Sequence, residues 1–338
     1  MTERQLGFDT LAIHAGAAPD PATGARQVPI YQTTAYVFRD ADHAAKLFNL
    51  QEIGYIYSRL TNPTVSALVA RVAALEGAAG GIACSSGHAA QIMALFPLMG
   101  PGKNVVASTR LYGGTLTQFS QTIKRFGWEA KFVDTDDLNA VEAAIDDNTR
   151  AVFCETIANP GGYISDIPAL ARIADLKGVP LIVDNTTATP WLCKPMEMGA
   201  TIVVHSATKY LTGNGTVTGG IVLDSGKFNW SASDKFPSLS QPEPAYHGLV
   251  FHPTLGGMAF TFHSIAVGLR DLGMTMNPQG AHYTLMGIET LGLRMAKHVE
   301  NAQIVAEWLE QDPRVETVTY AGLKSSPWHG RAKALLPK

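Results

Sequence analysis

The 338-residue sequence is poor in charge and in cysteine, and each shortage excludes something. Asp, Glu, Lys and Arg together make up 16% of it, against about 25% in an average soluble domain. So little ionic surface on a chain of this size predicts large subunit interfaces. Lys plus Arg is 26 and Asp plus Glu is 29, a net charge of -3, with no basic block able to neutralise a phosphate backbone. Nucleic acid is therefore not an expected partner. No apolar run approaches the roughly 18 residues needed to span a bilayer, and the opening MTERQLGFDTLAIHAG carries no signal-peptide core. No membrane association is expected, and the expected location is the cytoplasm. Cys84, Cys154 and Cys193 are odd in number and lack CxxC spacing. They read as buried reduced thiols rather than as nucleophiles, which would need a histidine beside them in space.

What is present is a large apolar complement, 46% of the residues, enough for a real core and for about two domains of roughly 150 residues. From about Thr64 apolar strands alternate with amphipathic helices at short intervals, the pattern of an α/β domain with a mainly parallel sheet. Val65, Leu68, Val72 and Leu75 predict a helix over 64–76 that stops at Gly77. Further helices are expected over 87–98, after Gly114, and over 138–145 and 167–176. Strands are expected over 81–85, 104–108, 130–133, 151–155, 180–184, 201–205 and 219–223. Between 225 and 256 the periodicity is lost, and Pro237, Pro242, Pro244 and Pro253 stand among aromatics. That stretch reads as a long functional loop or insertion. Met295, Val299, Ala302, Ala306 and Leu309 then predict a long helix closed by Asp312 and Pro313, with a strand after it over 315–320.

In an open α/β sheet ligands sit beyond the carboxyl ends of the strands, so the polar residues that follow apolar strands carry the chemistry. Ser85, Ser86 and Gly87 end one strand and open a helix, where free N–H groups and the positive dipole end would hold a phosphate. A plain serine N-cap explains the same residues. Asp184 follows Leu181, Ile182 and Val183. Ser206, Thr208 and Lys209 follow Ile202, Val203 and Val204, and lead into Gly213, Gly215, Gly219 and Gly220. An amine, a carboxylate and a phosphate cradle are what pyridoxal 5'-phosphate requires: a Schiff-base partner, a counter-charge for the ring nitrogen and an anion site. Other motifs fail. The glycines lack GxGxxG spacing, neither GxxxxGK[ST] nor HExxH occurs, and His247 and His252 have no acidic cluster nearby. No metal is expected.

The run Ser206-Ala207-Thr208-Lys209-Tyr210, preceded by Asp184, resembles the Cys/Met-metabolism family of pyridoxal phosphate enzymes. The resemblance extends to Tyr57-Ser58-Arg59, Ser86-Gly87-His88, Leu111-Tyr112-Gly113-Gly114-Thr115 and Glu155-Thr156-Ile157-Ala158-Asn159-Pro160. It implies a pyridoxal phosphate-dependent transferase of the aspartate aminotransferase-like type, fold type I. Its large domain would hold a mainly parallel seven-stranded sheet, and an incomplete α+β C-terminal domain would follow. The implied organisation is an N-terminal arm over 1–60, a cofactor domain over 61–256 with an insertion at 225–256, and the start of a truncated domain over 257–338.

The resemblance also implies roles. Lys209 would bond to the cofactor and move protons, with Tyr112 assisting. Asp184, Ser206, Thr208, Gly87, His88, Tyr112 and Asn159 would bind the cofactor, and Tyr57 and Arg59 would reach the phosphate of the adjacent subunit in a dimer of dimers. His88 stands where many relatives have Met or Gln, and Ile157 replaces a usual Pro. Gly114 argues against the methionine γ-lyase branch. The insertion followed by Gly256-Gly257-Met258 resembles the branch that acts on O-acetylhomoserine with sulfide or a thiol. The implied reaction is γ-replacement, with acetate leaving. Cystathionine γ-synthase or γ-lyase chemistry is an alternative. So is a cofactor-binding chain with little turnover, because the family's carboxylate-binding arginine lies in a segment this sequence does not contain.

Overall fold

A computed structural model describes residues 6–338. Its centre is a sheet of seven strands: β1 Gly80–Cys84, β2 Asn104–Ser108, β3 Glu129–Val133, β4 Thr149–Glu155, β5 Leu181–Asp184, β6 Ile202–Ser206 and β7 Gly220–Asp224. They lie side by side in the order β1-β7-β6-β5-β4-β2-β3. β7 pairs antiparallel with both β1 and β6, and the other pairings are parallel. All seven expected strands are therefore present, and the chain has the mainly parallel sheet that the apolar runs imply.

Those runs are continuous rather than alternating because both faces of the sheet are covered. Successive side chains on a strand point to opposite faces, and the two core clusters follow that parity. Val152, Cys154, Leu181, Val183 and Val203 pack into one cluster, whereas Phe153, Ile182, Ile202 and Val204 pack into the other. On the first face lie α1 Pro63–Glu76, through Val65, Leu68 and Val72, and α4 Ile167–Leu176, through Ile167 and Leu170, beside α3 Leu138–Ala144. On the second face lies α2 Gly87–Leu95, through Ile92, Met93 and Leu95. Asn62 caps α1, its side chain accepting from the Thr64 N–H, and Pro63 occupies the first turn, where its missing N–H costs nothing. Cys84, Cys154 and Cys193 are free and buried, as their apolar settings imply. Burial pushes the Cys154 and Cys193 thiols up to about 12 and raises that of Cys84 as well.

One expectation is refined and another revised. The long loop or insertion expected over 225–256 is built partly of short helical turns, including Pro237–Ser240 and Phe251–Leu255. Trp230, Phe236 and Phe251 from this stretch are buried, and Trp230 stacks on Phe260 with ring centroids 5.7 Å apart. Aromatic packing gives the segment its shape, which is why no simple period shows in its sequence. Residues 315–320 do not form a strand. A strand needs a ladder partner for its N–H and C=O groups, and no described strand lies beside it. The long helix is present as α6 Leu291–Gln311, preceded by α5 Pro278–Glu289, and α7 His329–Leu335 follows near the end. Among the described residues no helix is long and apolar enough to cross a membrane.

Candidate active site

Parity places three polar strand ends on one face. Glu155, Asp184 and Ser206 follow Phe153, Ile182 and Val204, all of which pack with α2. β4, β5 and β6 are adjacent and parallel, and Glu155 is the register partner of Asp184. The three residues therefore emerge together at one edge of the sheet, next to the start of α2.

The Asp184 carboxylate is fixed on both oxygens. Oδ1 accepts the Thr186 N–H at 3.0 Å, and Oδ2 accepts from Gln91 Nε2 at 3.2 Å. Gln91 is itself buried on α2 and gives a second hydrogen bond to Thr115 Oγ1 at 2.9 Å. Thr186 Oγ1 accepts the Ser206 N–H at 2.7 Å, which ties the end of β5 to the end of β6. Lys209 lies one turn past β6, exposed, with its N–H on the Ser206 carbonyl at 3.2 Å. Amine and carboxylate thus leave neighbouring strands at the same edge.

The start of α2 closes on this edge. Ser86 caps the helix by accepting the Ala89 N–H at 3.1 Å, which makes that serine an ordinary N-cap. The N–H groups of Gly87 and His88, at the first two positions of the helix, have no carbonyl four residues back and are available to an anion. Glycine is required here. A Cβ on Gly87 would sit 2.7 Å from Ser206 Cβ, and one on Gly220 would sit 2.0 Å from the Ser86 carbonyl oxygen. The helix start, Ser206 and β7 consequently approach more closely than side chains allow. Thr208 is committed locally: its hydroxyl donates to the Gly219 carbonyl at 3.2 Å and accepts the Gly219 N–H at 3.0 Å.

Two loops form the rim. Tyr112, about half exposed, faces His88 with ring centroids 6.0 Å apart, and the position of a Cβ on Gly114 would be 2.6 Å from Tyr112 Cε1 and 2.7 Å from His88 Cε1. The exposed Asn159 sits on the loop after β4. Beneath both lies Glu155, whose Oε1 accepts the Tyr112 N–H at 2.6 Å and whose Oε2 accepts the Asn159 N–H at 3.0 Å. Burial, and then the Asp184 charge opposite it, push the Glu155 carboxyl up to about 8.

On the opposite face of the same strands Glu76 and His205, both fully buried, meet at 2.7 Å. Asn185 Nδ2 donates to the same Glu76 oxygen at 2.7 Å, so α1 is pinned under the site.

Lys209, Asp184, Ser206, Thr208, Gly87, His88, Tyr112 and Asn159 are therefore gathered at one edge. Tyr57 and Arg59 are not. The Arg59 guanidinium lies over the Tyr57 ring at 5.3 Å, Tyr57 is 40% exposed, and the pair lines a separate surface hollow with Tyr36, Tyr246 and Arg270. Arg294, the arginine that reaches the segment after Lys209, gives Nη1 to the Tyr210 carbonyl at 2.8 Å and Nη2 to the Gly287 carbonyl at 2.6 Å. It clasps the backbone. Sequence reasoning missed Gln91, Thr186 and Glu155 as parts of the site. Glu155 was within reach, because it ends an apolar strand just as Asp184 does.

The arrangement fits pyridoxal phosphate on its own chemistry. It offers an exposed amine, a doubly oriented carboxylate for a ring nitrogen, a glycine cradle with helix-start N–H groups for a phosphate, and an aromatic ring beside them.

Comparison with known proteins agrees. The chain is 49% identical over 331 residues to the homocysteine synthase of Schizosaccharomyces pombe, covering 97% of this chain and 77% of that protein. It is 48% identical over 337 residues to the O-acetyl-L-homoserine sulfhydrylase of Corynebacterium glutamicum, covering 98% and 77%. The crystal structure of a putative O-acetylhomoserine (thiol)-lyase from Campylobacter jejuni, which contains N'-pyridoxyl-lysine-5'-monophosphate, superposes with a TM-score of 0.96 at 42% identity, over 99% of this chain and 82% of that one. A family model described as Cys/Met metabolism PLP-dependent enzyme matches residues 9–336, and the chain belongs to that family.

Proposed function

We propose that this protein replaces the acetoxy group of O-acetyl-L-homoserine by sulfide or methanethiol, giving homocysteine or methionine and acetate. The observation that carries the reading is one edge of one sheet holding Lys209, the oriented Asp184 carboxylate and the Gly87–Ser206 cradle, in a chain whose relatives bear the names homocysteine synthase and O-acetyl-L-homoserine sulfhydrylase.

When bound, pyridoxal phosphate supplies an electron sink that weakens the Cα–H bond of an attached amino acid. The rest falls to the chain's own residues. Lys209 would anchor the cofactor through its amine; as a free amine it would take the Cα proton, then a Cβ proton as acetate leaves Cγ, and return protons to Cβ and Cα after the sulfur nucleophile has added at Cγ. Asp184 would keep the ring nitrogen protonated, and its orientation by Gln91 and Thr186 means that no reorganisation would be needed at the moment of reaction. Gly87 and His88 N–H groups with Ser206 would hold the phosphate, Thr208 fixes the Gly219 turn beside them, Tyr112 would cover the ring and assist proton transfer, and Asn159 would serve the ring and substrate.

Tyr57 and Arg59, exposed and apart from the site of their own chain, are assigned to the phosphate of a partner subunit in a dimer of dimers. The low charge content agrees with that assembly. We further assign residues 1–60 to an arm on the neighbouring subunit, 61–256 to the cofactor domain and 257–338 to a second domain, in a protein of the cytoplasm.

The test is incubation of the pure protein with pyridoxal phosphate, O-acetylhomoserine and sulfide. Homocysteine formation supports the reading. A yellow but inert protein, or one that prefers cysteine as acceptor or releases 2-oxobutanoate, refutes it.

A further inference from the structure

Tyr112 and Asn159 stand on different loops, and their side chains are open to solvent. Packing of those side chains is therefore only partial, the Tyr112 ring facing His88 at 6.0 Å. A second tie is shared by the two residues: the backbone N–H of each ends on the same carboxyl group. Glu155 gives one oxygen to Tyr112 at 2.6 Å and the other to Asn159 at 3.0 Å, and it is only 5% exposed. Its own main chain is anchored as well, the Glu155 carbonyl accepting from Ser165 Oγ at 2.7 Å and β4 pairing with β5 through Asp184. Farther out the same loops meet again, where the Arg110 guanidinium lies 4.5 Å over the Tyr163 ring.

We infer that Glu155 is a positioning residue for the reaction: a single buried carboxyl that sets the spacing between Tyr112 and Asn159 and fixes both relative to Asp184. A group used this way must reach two N–H donors in different directions while rooted in a rigid strand. A carboxyl at a strand end does this, because each of its oxygens accepts independently. An amide of the same size cannot, because its NH2 donates. The inference rests on the reading of Tyr112 and Asn159 as cofactor-facing residues, and it adds the part that spaces them.

The experiment uses the full chain and the variants Glu155→Gln and Glu155→Ala, with two readouts. The first is amide hydrogen exchange without cofactor. Glu155→Ala is expected to speed exchange at both Tyr112 and Asn159 by about tenfold, the loss of one hydrogen bond at each. Glu155→Gln is expected to speed only one of the two. The second readout is kinetic. kcat falls about tenfold or more in both variants, whereas the dissociation constant for pyridoxal phosphate, carried by Lys209, Asp184 and the Gly87 turn, moves only a few-fold. Wild-type exchange at both amides in Glu155→Ala overturns the inference. Exchange that rises evenly across β4 and β5 overturns it too, because it reports general loosening. Failure of the underlying functional reading would show separately, as wild-type protein that neither binds pyridoxal phosphate nor forms homocysteine.

Discussion

Two strands of the sheet end in nearly the same four residues. β5 reads Leu-Ile-Val-Asp into Asp184, and the last four positions of β7 read Ile-Val-Leu-Asp into Asp224. Both aspartates lie on the α2 face, since Ile182 and Val222 pack in the same cluster. Their surroundings nevertheless differ completely. β5 is parallel to β4 and β6, so Asp184 comes out beside Glu155 and Ser206. β7 runs the other way, so Asp224 is the register partner of Ile202, at the start of β6, and lies at the far edge. Asp184 has donors on both oxygens. The Asp224 carboxyl accepts only from the Gly226 N–H at 3.0 Å, its Oδ2 is unpartnered, and burial pushes it up to about 7. An acid after an apolar strand is thus a site residue only when strand direction delivers it to the edge where donors and an opening converge.

The largest expected consequence separates the two acids by turnover. Asp184→Asn keeps the size and loses the charge, and kcat/KM for homocysteine formation should drop about 10- to 150-fold, the worth of a hydrogen bond to a charged group. Asp224→Asn should leave kcat/KM within about twofold. Equal losses in both variants would erase the distinction. A smaller effect is expected one layer out. Gln91→Ala removes the 3.2 Å bond to Asp184 and the 2.9 Å bond to Thr115, and should weaken pyridoxal phosphate binding about fivefold in a spectroscopic titration.

The smallest effect concerns stability. The folded-state values of Asp224 and Glu155, about 7 and about 8, lie above those of free carboxyls. The folded chain therefore holds these protons more tightly than the unfolded chain. Stability should fall as pH rises from about 4.5 to 8, by at most about 1.4 kcal/mol per pH unit for each group. Asp224→Asn keeps the Oδ1 acceptor and removes one of the two titrations. Thermal midpoints of the cofactor-free protein from pH 5 to 8.5 should fall less steeply for the variant and end about 2–4 °C above the parent at pH 8. Parallel curves would mean that Asp224 is ionised in the folded chain.

The same comparison shows what a linear reading captures. The seven strands were legible because each is an unbroken apolar run between helices, and Lys209, Asp184 and Ser206 were legible because they break such runs. Strand direction was not: nothing within Ile221–Asp224 says that it runs against its neighbours, which is a property of the connection through Gly213, Gly215 and Gly219. Gln91 was hidden in a helix whose other residues, His88 apart, are apolar or small, and its partner Asp184 is 93 residues away. The strand expected at 315–320 has suitable residues and no ladder to join, and the aromatic stretch around Trp230 carries no period because its rings pack in three dimensions. Local pattern reports burial; partners across the sheet decide the rest.

On the proposed function one amine, Lys209, holds pyridoxal phosphate at the edge marked by Asp184. Borohydride reduction of the loaded protein, followed by proteolysis and peptide mass analysis, tests it directly. The pyridoxyl mass is expected on the peptide containing Lys209 and should be lost in Lys209→Ala; a label on any other lysine, or one that survives that substitution, rules out this anchor.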